Sequence, residues 1–326
     1  MTKLSLGEVA LKVKSVKNAL VLCHRNPDPD TLGSAFGLKH ILEHFGASVR
    51  VACCDPSSPK FDFITGGCDI SAPFDIDLYD SVIAIDVASG AQLGEYSYLA
   101  DKVSLIIDHH ESCTRFSDYY EDFASACAMI VFDLAKELGI FEVLPAHFYE
   151  CVYAGISGDT GCFKYSNTTK KALTMASELV DTGIDFAHIN YIIFDCKSVG
   201  EIAAQCMVYK CVELFENKTL AVALITNEMK EKNGVCDDDI ADIISSIRQI
   251  EGVKVAVTIK QVSKNDRKYS ISSRANCDIN VSKICAKIGG GGHPRAAGAT
   301  LEDMEPKEAF DTIRDLFIKG MKLYAE

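Results

Sequence analysis

No apolar run in this chain approaches the roughly 18 to 20 residues that a membrane span needs. The first helix-like stretch is broken by Glu8, Lys12, Lys14 and Lys17, which spoils any secretory leader. A cytoplasmic protein without a membrane partner is expected. There is no C-x-x-C pair among the 14 cysteines, so neither a zinc ribbon nor a thioredoxin-like motif has support. The cysteines scatter through apolar segments (Cys23, Cys127, Cys151, Cys206, Cys285) of a 326-residue chain that needs no staples, and read as reduced thiols. Internal repeats and low-complexity tracts are also missing. Positive charge is scarce, with 33 Lys and Arg against 46 Asp and Glu for a net charge of -13. A surface of that sign repels long nucleic acid, so no long duplex partner is expected.

What is present points to an ordinary folded protein, with 48% hydrophobic and 24% charged residues. The length exceeds what one core usually reaches, so two domains are expected. Charge is unevenly spread. Residues 261–300 hold seven Lys or Arg (264, 267, 268, 274, 283, 287, 295) against Asp266 and Asp278, whereas residues 55–86 hold seven Asp and one basic residue, Lys60. One end suits anions and the other cations.

Residues 19–23, 48–53, 81–85 and 103–107 are short, nearly continuous apolar runs, the pattern of strands buried on both faces of a parallel sheet. Between and after them lie helical patterns at 31–45, 124–138, 145–156 and 169–181. The fold class expected is α/β: a doubly wound, mostly parallel sheet domain over 1–190, a helical linker over 191–214, and a smaller α+β domain over 215–326. In that second domain the patterns predict strands at 219–225, 254–260 and 268–274, helices near 238–248 and 280–288, a glycine run, and a last helix over 306–323.

Four clusters of Asp and His fall at the ends of these apolar segments, where open α/β sheets bind ligands. They are His24, Asp28 and Asp30 in an H-x-x-x-D-x-D run after the first strand; Asp86; Asp108-His109-His110; and Asp159 within G-I-S-G-D-T-G-C-F. Each has a bland explanation, such as Asp30 serving as the N-cap of the helix that follows it. Their coincidence does not, because so many carboxylates along one sheet edge repel unless cations sit between them. An oxygen-rich set with imidazoles and no thiolate suits Mn²⁺ or Mg²⁺ better than structural zinc. Five Asp and two or three His exceed the demand of one ion, so two divalent cations are expected, Mn²⁺ ahead of Mg²⁺. Such a pair activates water and clamps phosphoryl oxygens, which fits hydrolysis of a phosphoester or phosphoanhydride.

In this order and spacing, H-x-x-x-D-x-D, a strand-end Asp, D-H-H and G-I-x-x-D-T-G-x-F resemble the DHH phosphoesterase family over roughly the first 190 residues. The resemblance implies His24, Asp28 and Asp86 on one metal and Asp30, Asp86, His109 and Asp159 on the other, with Asp86 bridging. It also implies that His110 faces the substrate phosphate while Asp108 supports the histidines from behind. Pro29 departs from the small residue expected between the two aspartates, although it removes no ligand.

Arg274 and Asn276, followed by Gly289, Gly290, Gly291 and Gly292, His293 and Arg295, resemble the DHH-associated substrate-binding domain of RecJ-like and nanoRNase-like members, not the lysine-rich C-terminal domain of family II pyrophosphatases. Physically, a glycine run lets backbone approach a ligand and can form an anion-binding nest, to which His293, Arg274 and Arg295 would add charged donors. The function expected is that of a two-metal phosphodiesterase or phosphatase. It would convert short oligoribonucleotides and small nucleotides, such as pApA and adenosine 3′,5′-bisphosphate, to mononucleotides. Alternatives are a cyclic-di-AMP phosphodiesterase, a RecJ-like single-strand exonuclease, and a catalytically silent nucleotide-binding regulator. A homodimer is left open.

Overall fold

The computed structural model describes residues 1–110, 113–122, 124–262 and 267–324; of the charged residues counted above, Lys264 and Asp266 lie outside these. The chain divides into two compact units, Met1–Cys196 and Lys197–Glu326.

The first unit is built on five parallel strands, β1 (Asn18–Leu22), β2 (Ser48–Ala52), β3 (Ser81–Ile85), β4 (Leu105–Asp108) and β5 (Tyr119–Glu121), in the order β2-β1-β3-β4-β5. Because side chains alternate along a strand, Ala19 and Val21 pack to one side and Leu20 and Leu22 to the other, which is why these runs are apolar without a break. One face is covered by α1 (Leu6–Ser15), α2 (Pro29–His44), α4 (Cys127–Glu137) and α5 (Ala146–Asp159), the short α3 (Asp62–Thr65) lying between β2 and β3. On the other face, Leu93 and Leu99 of the 3₁₀ segment Gly90–Lys102 close a smaller core. The unit ends with α6 (Lys170–Asp181), α7 (Phe186–Asn190) and a π turn over Tyr191–Asp195. Strand order reverses between β1 and β3, so the crevice at their carboxyl ends is the point where a sheet of this topology opens to a ligand.

α2 and α5 cross closely because glycines line the contact. A Cβ on Gly33 would sit 2.3 Å from the Cys151 carbonyl oxygen, and one on Gly155 would sit 2.6 Å from the Ala128 Cβ and 2.9 Å from Asp30 Oδ1. The absence of side chains there sets the helix spacing, and with it the position of Asp30 on α2 relative to Asp159 at the end of α5.

The second unit is a mixed six-stranded sheet in the order β10-β11-β9-β8-β7-β6, from β6 (Glu213–Phe215), β7 (Leu220–Ile225), β8 (Val255–Gln261), β9 (Tyr269–Ala275), β10 (Gly291–His293) and β11 (Ala296–Leu301). Only β7 and β8 pair in parallel. The helices of this unit are α8 (Val199–Cys211), α9 (Asn227–Asn233), α10 (Ile243–Arg248), α11 (Val281–Cys285) and α12 (Pro306–Leu323). α11 and α12 cover one face and α8 and α10 the other. The segment read as a linker is thus split: α8, opened by a Ser198–Glu201 capping box, packs Ala204, Met207 and Val208 against the second sheet. The glycine run and the residues after it, given no regular structure by the pattern, form the β10–β11 hairpin, because glycine and alanine carry no period-2 signal. β5 and β6 were missed for their three-residue length. No helix among the described residues is long and apolar enough to cross a membrane.

Candidate metal centre

The crevice at the carboxyl ends of β1, β3 and β4 receives all the expected metal-ligating residues. His24 follows β1, Asp28 and Asp30 open α2, Asp86 follows β3, Asp108 ends β4 with His109 and His110 after it, and Asp159 ends α5. Asp28, not Asp30, is the N-cap of α2: its carboxylate accepts from Thr31 N at 2.9 Å, and Pro29 takes the first helical position, where a missing N–H costs nothing. Asp30 caps a different helix. Its oxygens accept from Cys127 N (2.6 Å) and Ala128 N (2.9 Å) at the start of α4, whose own N-cap residue, Ala126, has no side chain to do so.

The geometry groups these residues into overlapping triads. His24, Asp28 and Asp86 present ligand atoms within 4.8 Å of one another, as do Asp30, His109 and Asp159, and as do Asp86, His109 and His110. His24 Nε2 lies 3.5 Å from Asp86 Oδ2 and 3.8 Å from Asp28 Oδ2. His109 Nε2 lies 3.4 Å from Asp86 Oδ1, 3.4 Å from Asp159 Oδ2 and 3.7 Å from Asp30 Oδ2. Asp86 therefore turns one oxygen to each imidazole.

Two observations fit these residues to cations. The Nδ1 atoms of His24 and His109 face the carbonyls of Arg25 (2.8 Å) and Ala124 (3.0 Å), so those nitrogens carry the protons and both Nε2 lone pairs aim into the crevice, the arrangement of metal-bound histidine. Asp86 is 2% exposed and its Oδ1 is buried without a hydrogen bond, an orphan that a cation would satisfy. Asp86 also sits at φ 56°, in the left-handed region that Asp and Asn tolerate better than other side chains.

Without cations the site stores protons. Burial, then the Asp30 charge, pushes Asp159 up to about 9, and burial with the Asp86 charge pushes Asp30 up to about 7. Burial alone would pull the imidazoles down, but the Asp86 carboxylate beside both rings and the other carboxylates around them outweigh it, raising His24 to about 9 and His109 to about 11. Asp86 moves the other way, held low by the two imidazoles despite its burial.

His110 is placed differently. Its Nδ1 donates to Asp108 Oδ1 at 2.7 Å, which leaves Nε2 as its outward nitrogen, and this bond raises its pKa. Asp108 is fully buried and receives Arg115 Nη1 on its other oxygen at 2.6 Å. Arg115 was not foreseen, since nothing in its surroundings marks it. Nor was Thr31, whose hydroxyl donates to Asp86 Oδ2 at 2.6 Å, although its place directly after D-x-D was a usable signal.

The residues expected to bind substrate are less uniform. Register places Arg274 of β9 opposite Ala296 of β11, and Ala296 opposite His293 of β10, so the two cationic-capable side chains share a sheet face across a small residue. Asn276 and Arg295 have internal employment: the amide of Asn276 donates to the carbonyls of Arg248 and Val253, and Arg295 pairs with Asp278 at 3.0 Å. The glycine run does not offer four free N–H groups. Those of Gly289 and Gly290 donate to Ala286 and Cys285 carbonyls, closing the preceding helical turns, and Gly291 and Gly292 belong to β10. A Cβ on Gly290 or Gly292 would strike β11 backbone at 2.2 and 2.5 Å, so close strand approach explains these two glycines.

Residues 18–156 match the DHH family, N-terminal domain, and residues 217–322 match the DHHA1 domain. The chain is 28% identical over 313 residues to the probable bifunctional oligoribonuclease and PAP phosphatase NrnA of Streptococcus mutans, covering 94% of this chain and 97% of that one. It is 28% identical over 315 residues to the bifunctional oligoribonuclease and PAP phosphatase NrnA of Thermus thermophilus, covering 94% and 91%. Among solved structures, an exopolyphosphatase-related protein from Bacteroides fragilis has the same fold, with a TM-score of 0.87 at 21% identity over 98% of this chain and 96% of that chain. On its motifs, its crevice and these matches, the chain belongs to the DHH family of phosphoesterases, with a DHH N-terminal domain followed by a DHHA1 domain.

Proposed function

We propose that this protein uses two divalent cations, Mn²⁺ in preference to Mg²⁺, to hydrolyse short oligoribonucleotides and small nucleotides such as adenosine 3′,5′-bisphosphate to mononucleotides. The observation that carries the chemistry is the pair of triads, His24–Asp28–Asp86 and Asp30–His109–Asp159, joined through the two oxygens of Asp86. The substrate class leans on the names of the curated relatives, which align over nearly all of this chain.

In this reading His24, Asp28 and Asp86 hold one cation, and Asp30, Asp86, His109 and Asp159 the other. When bound, the cations supply positive charge to phosphoryl oxygens and acidify water at neutral pH. The backbone carbonyls of Arg25 and Ala124 hold the two imidazoles in the ligating tautomer. Thr31 fixes the rotamer of Asp86. Asp108, itself anchored by Arg115, holds His110 with a proton on Nδ1 and keeps its Nε2 directed outward, where it can donate to a phosphate oxygen or to the leaving group. On the second unit, Arg274 and His293 are assigned to nucleotide recognition. Asn276, Arg295 and Gly289 to Gly292 are assigned the shaping of that surface.

The test is a substrate panel on chelator-stripped, reconstituted enzyme: a two-nucleotide RNA, a five-nucleotide RNA, adenosine 3′,5′-bisphosphate, cyclic di-AMP, pyrophosphate and a strand of about twenty nucleotides. Mn²⁺ should restore turnover better than Zn²⁺, with the first three substrates cleaved fastest. Arg274→Ala and His293→Ala should each lower kcat/KM for the dinucleotide by roughly ten-fold, with little effect on bis-p-nitrophenyl phosphate, which has no second group to anchor. Full activity after exhaustive chelation, with no metal by elemental analysis, would remove the two-cation reading. Equal rates on the long strand and the dinucleotide would favour an exonuclease.

A further inference from the structure

Away from the crevice, the α2–α5 helix pair brings together three side chains that the phosphoesterase chemistry does not use. His40 lies on the same side of α2 as Gly33 and Gly37, at spacings of seven and three residues, and meets His147 and Cys151, one turn apart on α5. The glycine contacts between the two helices make this approach possible. His40 Nε2 is 2.9 Å from His147 Nδ1, Cys151 Sγ is 3.6 Å from His147 Nε2, and one ligand atom from each residue falls within 4.8 Å of the others.

The surroundings are those of a ligand set. His147 Nε2 faces the Phe63 carbonyl at 2.9 Å, so its proton sits there and Nδ1 presents the lone pair toward His40. His40 Nδ1 faces Glu43 Oε2 at 4.0 Å. Burial, with His147 alongside, pushes His40 down to about 4, so its imidazole is neutral at physiological pH. Cys151 is fully buried while both imidazoles are partly exposed, which leaves an entry path from the His40 side.

We propose that His40 Nε2, His147 Nδ1 and Cys151 Sγ form a third cation site, chemically distinct from the catalytic pair and selective for a thiolate-binding ion such as Zn²⁺. A thiolate with two imidazoles suits zinc or cobalt and disfavours Mn²⁺ and Mg²⁺, the reverse of the oxygen-rich crevice. Tetrahedral ligand separations of about 3.3 Å between nitrogens and 3.6 Å between sulfur and nitrogen follow from the usual bond lengths, so the 2.9 Å histidine pair must open by a few tenths of an ångström, and Cys151 Sγ, which lies 3.6 Å from the far nitrogen Nε2 of His147, must turn toward Nδ1. Binding releases the Cys151 thiol proton to solvent and moves the His40 proton from Nε2 to Nδ1, beside Glu43. The ion would clip the helix pair about 15 Å along α2 from Asp30, ten residues at 1.5 Å each. The site is independent of the catalytic reading.

Stripped full-length protein titrated with Co²⁺ should develop a near-ultraviolet thiolate-to-cobalt charge-transfer band, which a carboxylate and imidazole centre cannot give. One equivalent of Zn²⁺ should abolish the band, while excess Mn²⁺ should not. The band should persist in Asp86→Asn, vanish in Cys151→Ser, and require at least roughly ten-fold more cobalt in His40→Gln. If Cys151→Ser fails to fold, the half-buried His40→Gln variant decides. Absence of the band from the wild-type protein, or its full survival in His40→Gln, would overturn the site and leave the catalytic pair untouched.

Discussion

Asp86 joins the two halves of the crevice with one oxygen toward His24 and the other toward His109, and it does so from a left-handed backbone. Asparagine tolerates that backbone as well as aspartate does and keeps an oxygen for the Thr31 hydroxyl. Asp86→Asn should therefore still fold, with an unchanged far-ultraviolet circular dichroism spectrum, yet lose the second anionic oxygen. Since even residues that merely orient a metal ligand are worth about 10- to 100-fold, turnover in excess Mn²⁺ should drop by at least roughly 100-fold. More than about a tenth of wild-type activity would show that Asp86 does not bridge.

At the scale of elements, the crossing of α2 with α5 determines where Asp30 and Asp159 meet. Gly33 faces backbone at 2.3 Å and 3.0 Å from its would-be Cβ, and backbone cannot swing aside as a side chain can. Gly33→Ala should cost about 3 kcal/mol of folding stability in denaturant unfolding, at the upper end for overpacking. Gly37 meets side-chain atoms, the Val131 and Val152 methyls at 3.1 and 3.2 Å and the Phe148 ring at 3.8 Å, so Gly37→Ala should cost clearly less. Equal losses would mean that the helices part readily and that the glycine contact does not set the spacing.

For the whole molecule, the crevice couples stability to pH and metal. His24 and His109 have folded pKa values raised to about 9 and 11, and Asp159 to about 9. Raised histidine values stabilise fully below the unfolded value of about 6.5 and lose that contribution as pH climbs through the folded value; a raised carboxyl value likewise means that the folded state binds the extra proton. All three terms have one sign, so the metal-free protein should melt at progressively lower temperature from about pH 6.5 to 9. Cations compete with those protons, so the gain in melting temperature on adding Mn²⁺ should widen over the same interval. Calorimetry at several pH values checks both trends, and a stripped protein that grows more stable across that interval would contradict them.

Much of this was legible in the chain. The apolar runs and the helix periods needed only local alternation, so the parallel sheet and the final helix Pro306–Leu323 follow from residue order. The residues that gather in the crevice as candidate metal ligands were legible too, because a carboxylate at a strand end is a local signal and several of them on one sheet edge demand neutralisation. Tertiary structure decided what distance in sequence hides. It made Asp28 the cap of its own helix and Asp30 the cap of α4, 97 residues away, because a capping partner across a fold leaves no trace in local spacing. It turned two glycines of the anion-nest candidate into close strand contacts, gave Arg115 a buried carboxylate to hold, and set His40 against His147 and Cys151. Those contacts depend on how closely packed elements approach, which only the folded chain determines.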